Sequence, residues 1–74
     1  MTPALLTRVG VFLYGADWKA PMARAVGKSS RTVRRWLEGT HKMPADLRER
    51  LRGLLAGSRR TLEEIEDQVD EGVG

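Results

Sequence analysis

The 74-residue chain has no cysteine and a single histidine, His41. Disulfide bonds and cysteine-ligated zinc are therefore excluded, and a chain this small must be stabilised by helix packing or by oligomerisation. The sequence offers few candidate catalytic residues, because a serine–histidine–acid arrangement would depend on His41 alone and no glycine-rich phosphate loop is present. We expect a protein that is not an enzyme and that needs no metal ion, cofactor or small-molecule ligand.

Long hydrophobic runs are also missing. No apolar segment approaches the roughly 20 residues that span a bilayer, and residues 1–4 lack the basic segment of a signal peptide. These features predict a cytoplasmic protein without a membrane anchor.

Charges of opposite sign are segregated along the chain, although the net charge is only +3. Residues 1–60 hold all 13 Lys and Arg residues against four acidic ones, a net charge of +9. Residues 61–74 hold six acidic residues and no basic one, a net charge of −6. A basic body favours a polyanionic partner, whereas the acidic tail repels such a partner and must have a different role.

Apolar residues recur at helical spacing along most of the chain, and no segment has the alternation of a strand. Capping and helix-breaking residues predict five short helices. The helices begin after Thr2, Asp17 and either Ser29 or Ser30, at Pro44, and at Thr61, where Glu64 completes a capping box; Gly15, Gly27, Gly39 and Gly57 end the first four. The expected fold is all-α, a compact bundle of about five short helices, with a main domain over residues 1–58 and an acidic C-terminal helix over residues 59–74.

The third predicted helix lies within GKSSRTVRRWLEG, residues 27–39, and has two distinct faces. At about 100° per residue, one arc carries Val33, Trp36 and Leu37, and the other carries Arg31, Arg34, Arg35 and Glu38. Glu38 could pair with a neighbouring arginine or accept a hydrogen bond from a cytosine. The second and third predicted helices, joined by the turn at Gly27, predict a helix-turn-helix. In that motif the later helix, here the third, is the recognition helix that enters the major groove of DNA.

The segment KAPMARAVGKSSRTVRRWLEG, residues 19–39, resembles the helix-turn-helix of the lambda-repressor-like family, the Cro and phage-repressor type. Ala23 stands where the two helices cross closely, and Gly27 stands at the turn four residues later. Val33 and Trp36 occupy the apolar positions beneath the second helix. The resemblance implies the family's five-helix layout over roughly residues 2–56 and a double-stranded DNA ligand.

Carried over position by position, the resemblance also implies which side chains contact DNA. Bases would be contacted from the start and outer face of the recognition helix, by Ser30, Arg31, Arg34 and Arg35. Phosphates would be held by Lys19, Ser29, Thr32, Thr40, His41 and Lys42. Two features depart from the family: Lys19 stands where Gln is common, and Arg34 and Arg35 replace residues that are commonly neutral, which favours a G-rich site or more phosphate contacts.

The acidic tail carries a narrow apolar stripe formed by Leu62, Ile65 and Val69. Such a stripe with charged flanks suits packing against another helix. It could fold back on its own domain, bind another protein or meet its twin. We expect a homodimer, because one helix-turn-helix covers few base pairs and two linked copies gain effective concentration on a palindromic operator.

These observations predict a sequence-specific transcriptional regulator, a repressor from a bacterium or its phage. Two alternatives stay open. One is a protein-interaction module, such as an antitoxin that binds its partner through the tail, and the other is a non-specific DNA-binding factor. Strong preference for one DNA sequence would separate the first interpretation from both alternatives.

Overall fold

The computed structural model describes residues 1–73, which form four helices and no strand. The helices are α1 (Pro3–Tyr14), α2 (Lys19–Ala25), α3 (Ser30–Glu38) and α4 (Leu47–Val73). The prediction of an all-α fold is confirmed. The predicted number of five helices is wrong, because the fourth and fifth are one continuous helix.

Local hydrogen bonds explain where α1 begins and where α2 ends. Thr2 caps α1 as predicted, since its hydroxyl accepts a hydrogen bond from the Leu5 N–H at 3.2 Å. Asp17, by contrast, does not cap α2: the N-cap is Trp18, which has helical dihedral angles and no side-chain capping bond. At the other end of α2, Gly27 has φ +72° and the Lys28 N–H donates to the Ala23 carbonyl at 2.8 Å. This is the left-handed glycine ending that turns the chain towards α3.

The boundaries of α3 follow the same rules. Ser29, rather than Ser30, is the N-cap, and its hydroxyl accepts from the Thr32 N–H at 3.2 Å. Gly39 ends the helix in the left-handed conformation with φ +79°. Short-range capping chemistry therefore fixes both ends of α3.

All four helices contribute to one hydrophobic core. Its buried residues are Leu6, Trp18, Met22, Ala23, Val26, Val33, Trp36, Leu47 and Leu51. Trp36 belongs to this core, as its place on the apolar arc of α3 predicts. Gly10 is buried in α1 because the Trp18 indole lies directly against it, so that a Cβ at this position would overlap the ring.

The continuity of α4 corrects the prediction of a break between Gly57 and Thr61. Gly57 does not have the positive φ of a helix-ending glycine, and the Thr61 hydroxyl donates to the Gly57 carbonyl at 3.1 Å. That bond to residue i−4 is typical of a threonine inside a helix, not of an N-cap. The helix also begins at Leu47 rather than at Pro44. Residues 59–73 are thus the distal part of α4 and not a separate helix.

The distal part of α4 extends beyond the core, and the molecule is elongated rather than a compact bundle. Its principal extents are 52 × 22 × 20 Å and its radius of gyration is 14.7 Å, compared with about 11 Å for a compact domain of this length. A helix of 27 residues is about 40 Å long. Residues 59–72 are all exposed. Among the helices described, none combines the length and apolar character needed to cross a membrane.

Replacing Gly57 by alanine is expected to stabilise the protein by about 0.5–1 kcal/mol, because alanine favours a helix interior over glycine. No heavy atom lies within 4 Å of the position that the new Cβ would occupy. Thermal and urea unfolding, followed by circular dichroism, would measure the change. A loss of stability would indicate that Gly57 needs the left-handed conformation and that α4 is broken there.

Candidate nucleic-acid interface

Helices α2 and α3 pack more closely against each other than any other pair of helices. Met22 and Ala23 of α2 are buried together with Val33 and Trp36 of α3. The small Ala23 side chain permits a close approach of the two backbones, and the Gly27 turn joins them. This arrangement is consistent with a helix-turn-helix.

The outer face of α3 is basic and accessible. Arg31, Arg34 and Arg35 are all exposed. Within residues 1–73, one ion pair has its charged atoms within 4.0 Å, and it joins Asp46 to Arg50. Glu38 therefore forms no ion pair with Arg34 or Arg35. The three guanidinium groups on α3 therefore remain available for an anionic or hydrogen-bond-accepting ligand.

Lys19 and Ser30 lie close together although they belong to different helices. Both line a shallow depression between the start of α2 and the start of α3, together with Ala16, Asp17 and Ala20. The structure thus places a candidate phosphate-binding lysine beside the first residue of the candidate recognition helix. The Asp17 carboxylate at the same edge reduces the positive potential there.

The hydroxyls of Ser29 and Thr32 are engaged with each other. Their oxygens are 3.1 Å apart, and the Ser29 oxygen also accepts from the Thr32 N–H. These two residues organise the first turn of α3. Because only one of the two hydroxyl hydrogens is used in this pair, the other can still donate to a phosphate.

The loop after α3 places its polar residues at the opposite end of the helix from Lys19. The Thr40 hydroxyl donates to the Arg35 carbonyl at 3.3 Å, and the backbone N–H groups of Thr40 and His41 donate to the same oxygen at 3.1 and 3.4 Å. Thr40 therefore has no donor free for a phosphate in this conformation. His41 and Lys42 are exposed and line a different groove, beside Met1.

Arg50 has a structural role that the sequence did not reveal. Its Nη1 donates to the Val26 carbonyl at 3.2 Å, and its Nε donates to the Asp46 carboxylate at 3.0 Å. The side chain thus joins the end of α2 to the first turn of α4. The spacing of Asp46 and Arg50 is a visible i, i+4 signal, but the carbonyl 24 residues away cannot be inferred from local pattern.

The part of the chain that the structure describes contains no cluster of metal-ligating side chains. No three His, Asp or Glu side chains there are placed to hold a metal ion together. The features available for binding are thus the basic face of α3, its two flanking polar segments and the exposed stripe of α4.

Comparison of this chain with models of protein families, with characterised proteins and with solved structures finds no match. The resemblance of residues 19–39 to the lambda-repressor-like helix-turn-helix thus stays a prediction from the sequence, with which the close packing of α2 and α3 is consistent.

Proposed function

We propose that the protein is a sequence-specific regulator that binds double-stranded DNA with α3 in the major groove. One observation carries the proposal: α3 buries its apolar side against the core while three arginines without acidic partners cover its exposed side. The protein acts as a homodimer on a palindromic operator and represses transcription by covering a promoter.

The dimensions of α3 support this role. An α-helix with its side chains is about 10–12 Å across, and the major groove is about 12 Å wide. Arg31 and Arg35 are four residues apart, so they lie about 6 Å apart along the helix axis. Each guanidinium can donate two parallel hydrogen bonds to guanine O6 and N7. The pair is thus suited to contact two nearby guanines.

Polar and basic residues at both ends of α3 are placed where they could contact the DNA backbone and so orient the helix. Lys19 lies at the start of the helix, and His41 and Lys42 follow its end. Phosphate contacts at both ends would hold the helix along the groove without adding sequence preference. The acidic distal half of α4 repels phosphate, which keeps that arm away from the duplex.

The decisive experiment compares a duplex from upstream of the protein's own gene with a shuffled duplex, by fluorescence anisotropy over a series of salt concentrations. Specific regulation predicts affinity at least about 10³-fold higher for the native sequence. Equal, steeply salt-dependent binding to both duplexes would favour a non-specific DNA-binding factor. Absence of binding to either, with genomic fragments also negative, would favour a protein-interaction module.

Lys19→Ala is expected to weaken binding to the native and shuffled duplexes by the same factor. The slope of log K against log salt should fall by about one unit, because one phosphate contact and its counterion are lost. The salt series above measures both quantities. Arg8→Ala, an equal change of charge at an exposed position of α1, is the control and should leave the slope unchanged. A change in sequence preference would instead place Lys19 on a base.

A further inference from the structure

The apolar stripe on the distal half of α4 is only half covered within the described residues. Leu62, Ile65 and Val69 are 51%, 50% and 56% exposed. Because α4 is continuous, it carries the stripe away from the core, which leaves no hinge through which these residues could fold back. The exposed half of the stripe is thus free to pack against a partner from outside the chain.

The stripe is part of a regular heptad pattern that begins in the core. Residues spaced alternately three and four apart are Leu51, Leu55, Ser58, Leu62, Ile65, Val69 and Gly72. Leu51 is buried, whereas the positions from Leu62 onward are exposed. A 3,4 spacing in which every position but Ser58 and Gly72 carries a large apolar side chain is the pattern of a helix that pairs with another helix at a small angle. We call these seven positions the seam of α4. The partner expected for the seam is an α-helix with the same heptad spacing.

The charges beside the seam distinguish the two possible directions of pairing. Immediately after the seam residues Ser58 and Ile65, at equivalent heptad positions, stand Arg59 and Glu66. Antiparallel pairing sets equivalent flanking positions of the two helices against each other, so Arg59 would meet Glu66 of the partner subunit, and this pair would occur twice by symmetry. Parallel pairing sets Glu66 against the position of Thr61 and makes no such pair.

The overall charge distribution of α4 favours the same direction. Residues 47–60 hold five arginines and one glutamate, a net charge of +4, whereas the rest of the helix carries the six acidic residues. Antiparallel helices paired with Leu62 opposite Ile65 would place Arg59 and Arg60 of each copy beside the acidic residues 66 and 67 of the other. Parallel helices would place the six negative charges of one helix beside the same six charges of the other.

A groove beside the apolar stripe has room for the part of a partner's α4 that extends beyond the partner's globular body. A groove at the end of α1 is lined by Leu13 and Tyr14 together with Leu54, Ser58, Leu62 and Ile65 of α4. An antiparallel partner would bring only the distal part of its α4 into this groove. Its three-helix body would lie at the far end, clear of α1.

We propose that a second copy of this chain occupies the stripe, with the two α4 helices antiparallel and Leu62 opposite Ile65 of the partner subunit. The proposal rests on the homodimer in the proposed function and specifies its interface and direction. Charge complementarity between Arg59 and Glu66 selects the second copy over an unrelated helix.

Charge exchange tests the pairing. Arg59→Glu and Glu66→Arg, made separately, should each weaken dimerisation about 10-fold or more in sedimentation equilibrium, because both symmetric pairs become repulsive. The double variant Arg59→Glu/Glu66→Arg should restore dimerisation, since the pair is rebuilt with its charges exchanged. Arg60→Glu, the same change one residue along on the outer face, is the matched control and should leave dimerisation nearly unchanged. Failure of the double variant to recover would overturn the proposed pairing.

Introduced cysteines test the direction without ambiguity, because the chain has none of its own. In the antiparallel dimer the two copies of residue 69 lie about 16 Å apart along the axis, beyond the roughly 7 Å that a disulfide permits between Cα atoms. Neither Val69→Cys nor Ser58→Cys should form a disulfide-linked dimer under mild oxidation, whereas the double variant should. Cross-linking of Val69→Cys alone would show parallel helices and overturn the proposal.

The result is separable from the test of DNA binding, because neither assay contains DNA. A wild-type chain that remains monomeric at high micromolar concentration would overturn the interface while leaving specific recognition by α3 open to its own test. A dimer that passes both assays but binds no DNA would overturn the proposed function and keep the interface.

Discussion

Gly10→Ala is expected to destabilise the protein by about 2–3 kcal/mol, although the same substitution usually stabilises a helix. The new methyl group would overlap the Trp18 indole, which lies on Gly10 and is 3% exposed. The ring cannot turn away easily, because Trp18 is also the N-cap of α2 and its backbone is fixed by that helix. A chain of 74 residues has a total stability of roughly 4–11 kcal/mol, so the expected loss is a large part of it.

Urea unfolding, followed by tryptophan fluorescence and circular dichroism, measures this change. Gly57→Ala is the matched control, since it makes the same substitution in another helix where the space is open, and its effect should have the opposite sign. If the overlap is the cause, Gly10→Ala combined with Trp18→Leu should cost less than the sum of the two single changes. Additive effects would place the cause elsewhere in α1.

Arg31→Ala/Arg35→Ala is expected to reduce affinity for the specific operator by about 30-fold to 10⁴-fold, from two base contacts worth about 1–3 kcal/mol each. Affinity for a shuffled duplex should fall much less, so specificity is lost along with affinity. Both side chains are exposed and outside the core, so the unfolding free energy should hardly change. Anisotropy titrations with both duplexes, alongside urea unfolding, separate these effects.

The control for this prediction removes the same charge from other surfaces of the molecule. Arg8→Ala/Arg52→Ala changes exposed positions on α1 and α4 and should weaken both duplexes slightly and equally, through the general field alone. Equal losses in the two double variants would indicate that α3 contributes only charge. That result would favour the non-specific DNA-binding interpretation.

The parts of the fold that the sequence predicts well depend on contacts within a few residues. The Thr2 and Ser29 caps and the Gly27 and Gly39 endings each use hydrogen bonds between near neighbours, which pattern alone can indicate. The division of α3 into a buried and a basic face follows equally from the helical period. These features were sufficient to identify the candidate interface.

The errors arise where one residue type has two local roles. Gly57 and Thr61 are suited both to a break between helices and to a helix interior, and the structure shows the second role. Asp17 is a good capping residue that stands one position too early for α2. Capping preferences near 1 kcal/mol are easily outweighed by packing.

Long-range contacts set the remaining limit. The sequence cannot show that Trp18 covers Gly10 or that Arg50 reaches the Val26 carbonyl, because each contact depends on how whole helices are arranged. Likewise, the pairing of Glu38 with a neighbouring arginine was open until the structure showed no acidic partner for the α3 arginines among residues 1–73. The residues of the candidate interface could be named in advance, but whether their side chains were free of acidic partners could not.

The unbroken course of α4 would couple two properties of the proposed dimer that a flexible linker would separate. One residue inserted between Gly57 and Thr61 would turn the distal stripe by about 100° relative to α3 and lengthen the arm by about 1.5 Å. Seven inserted residues would lengthen it by about 10 Å and turn it by only about 20°. In the proposed dimer, the length of α4 would therefore set both the separation and the rotational phase of the two α3 helices, and only whole-heptad changes in length would nearly preserve that phase.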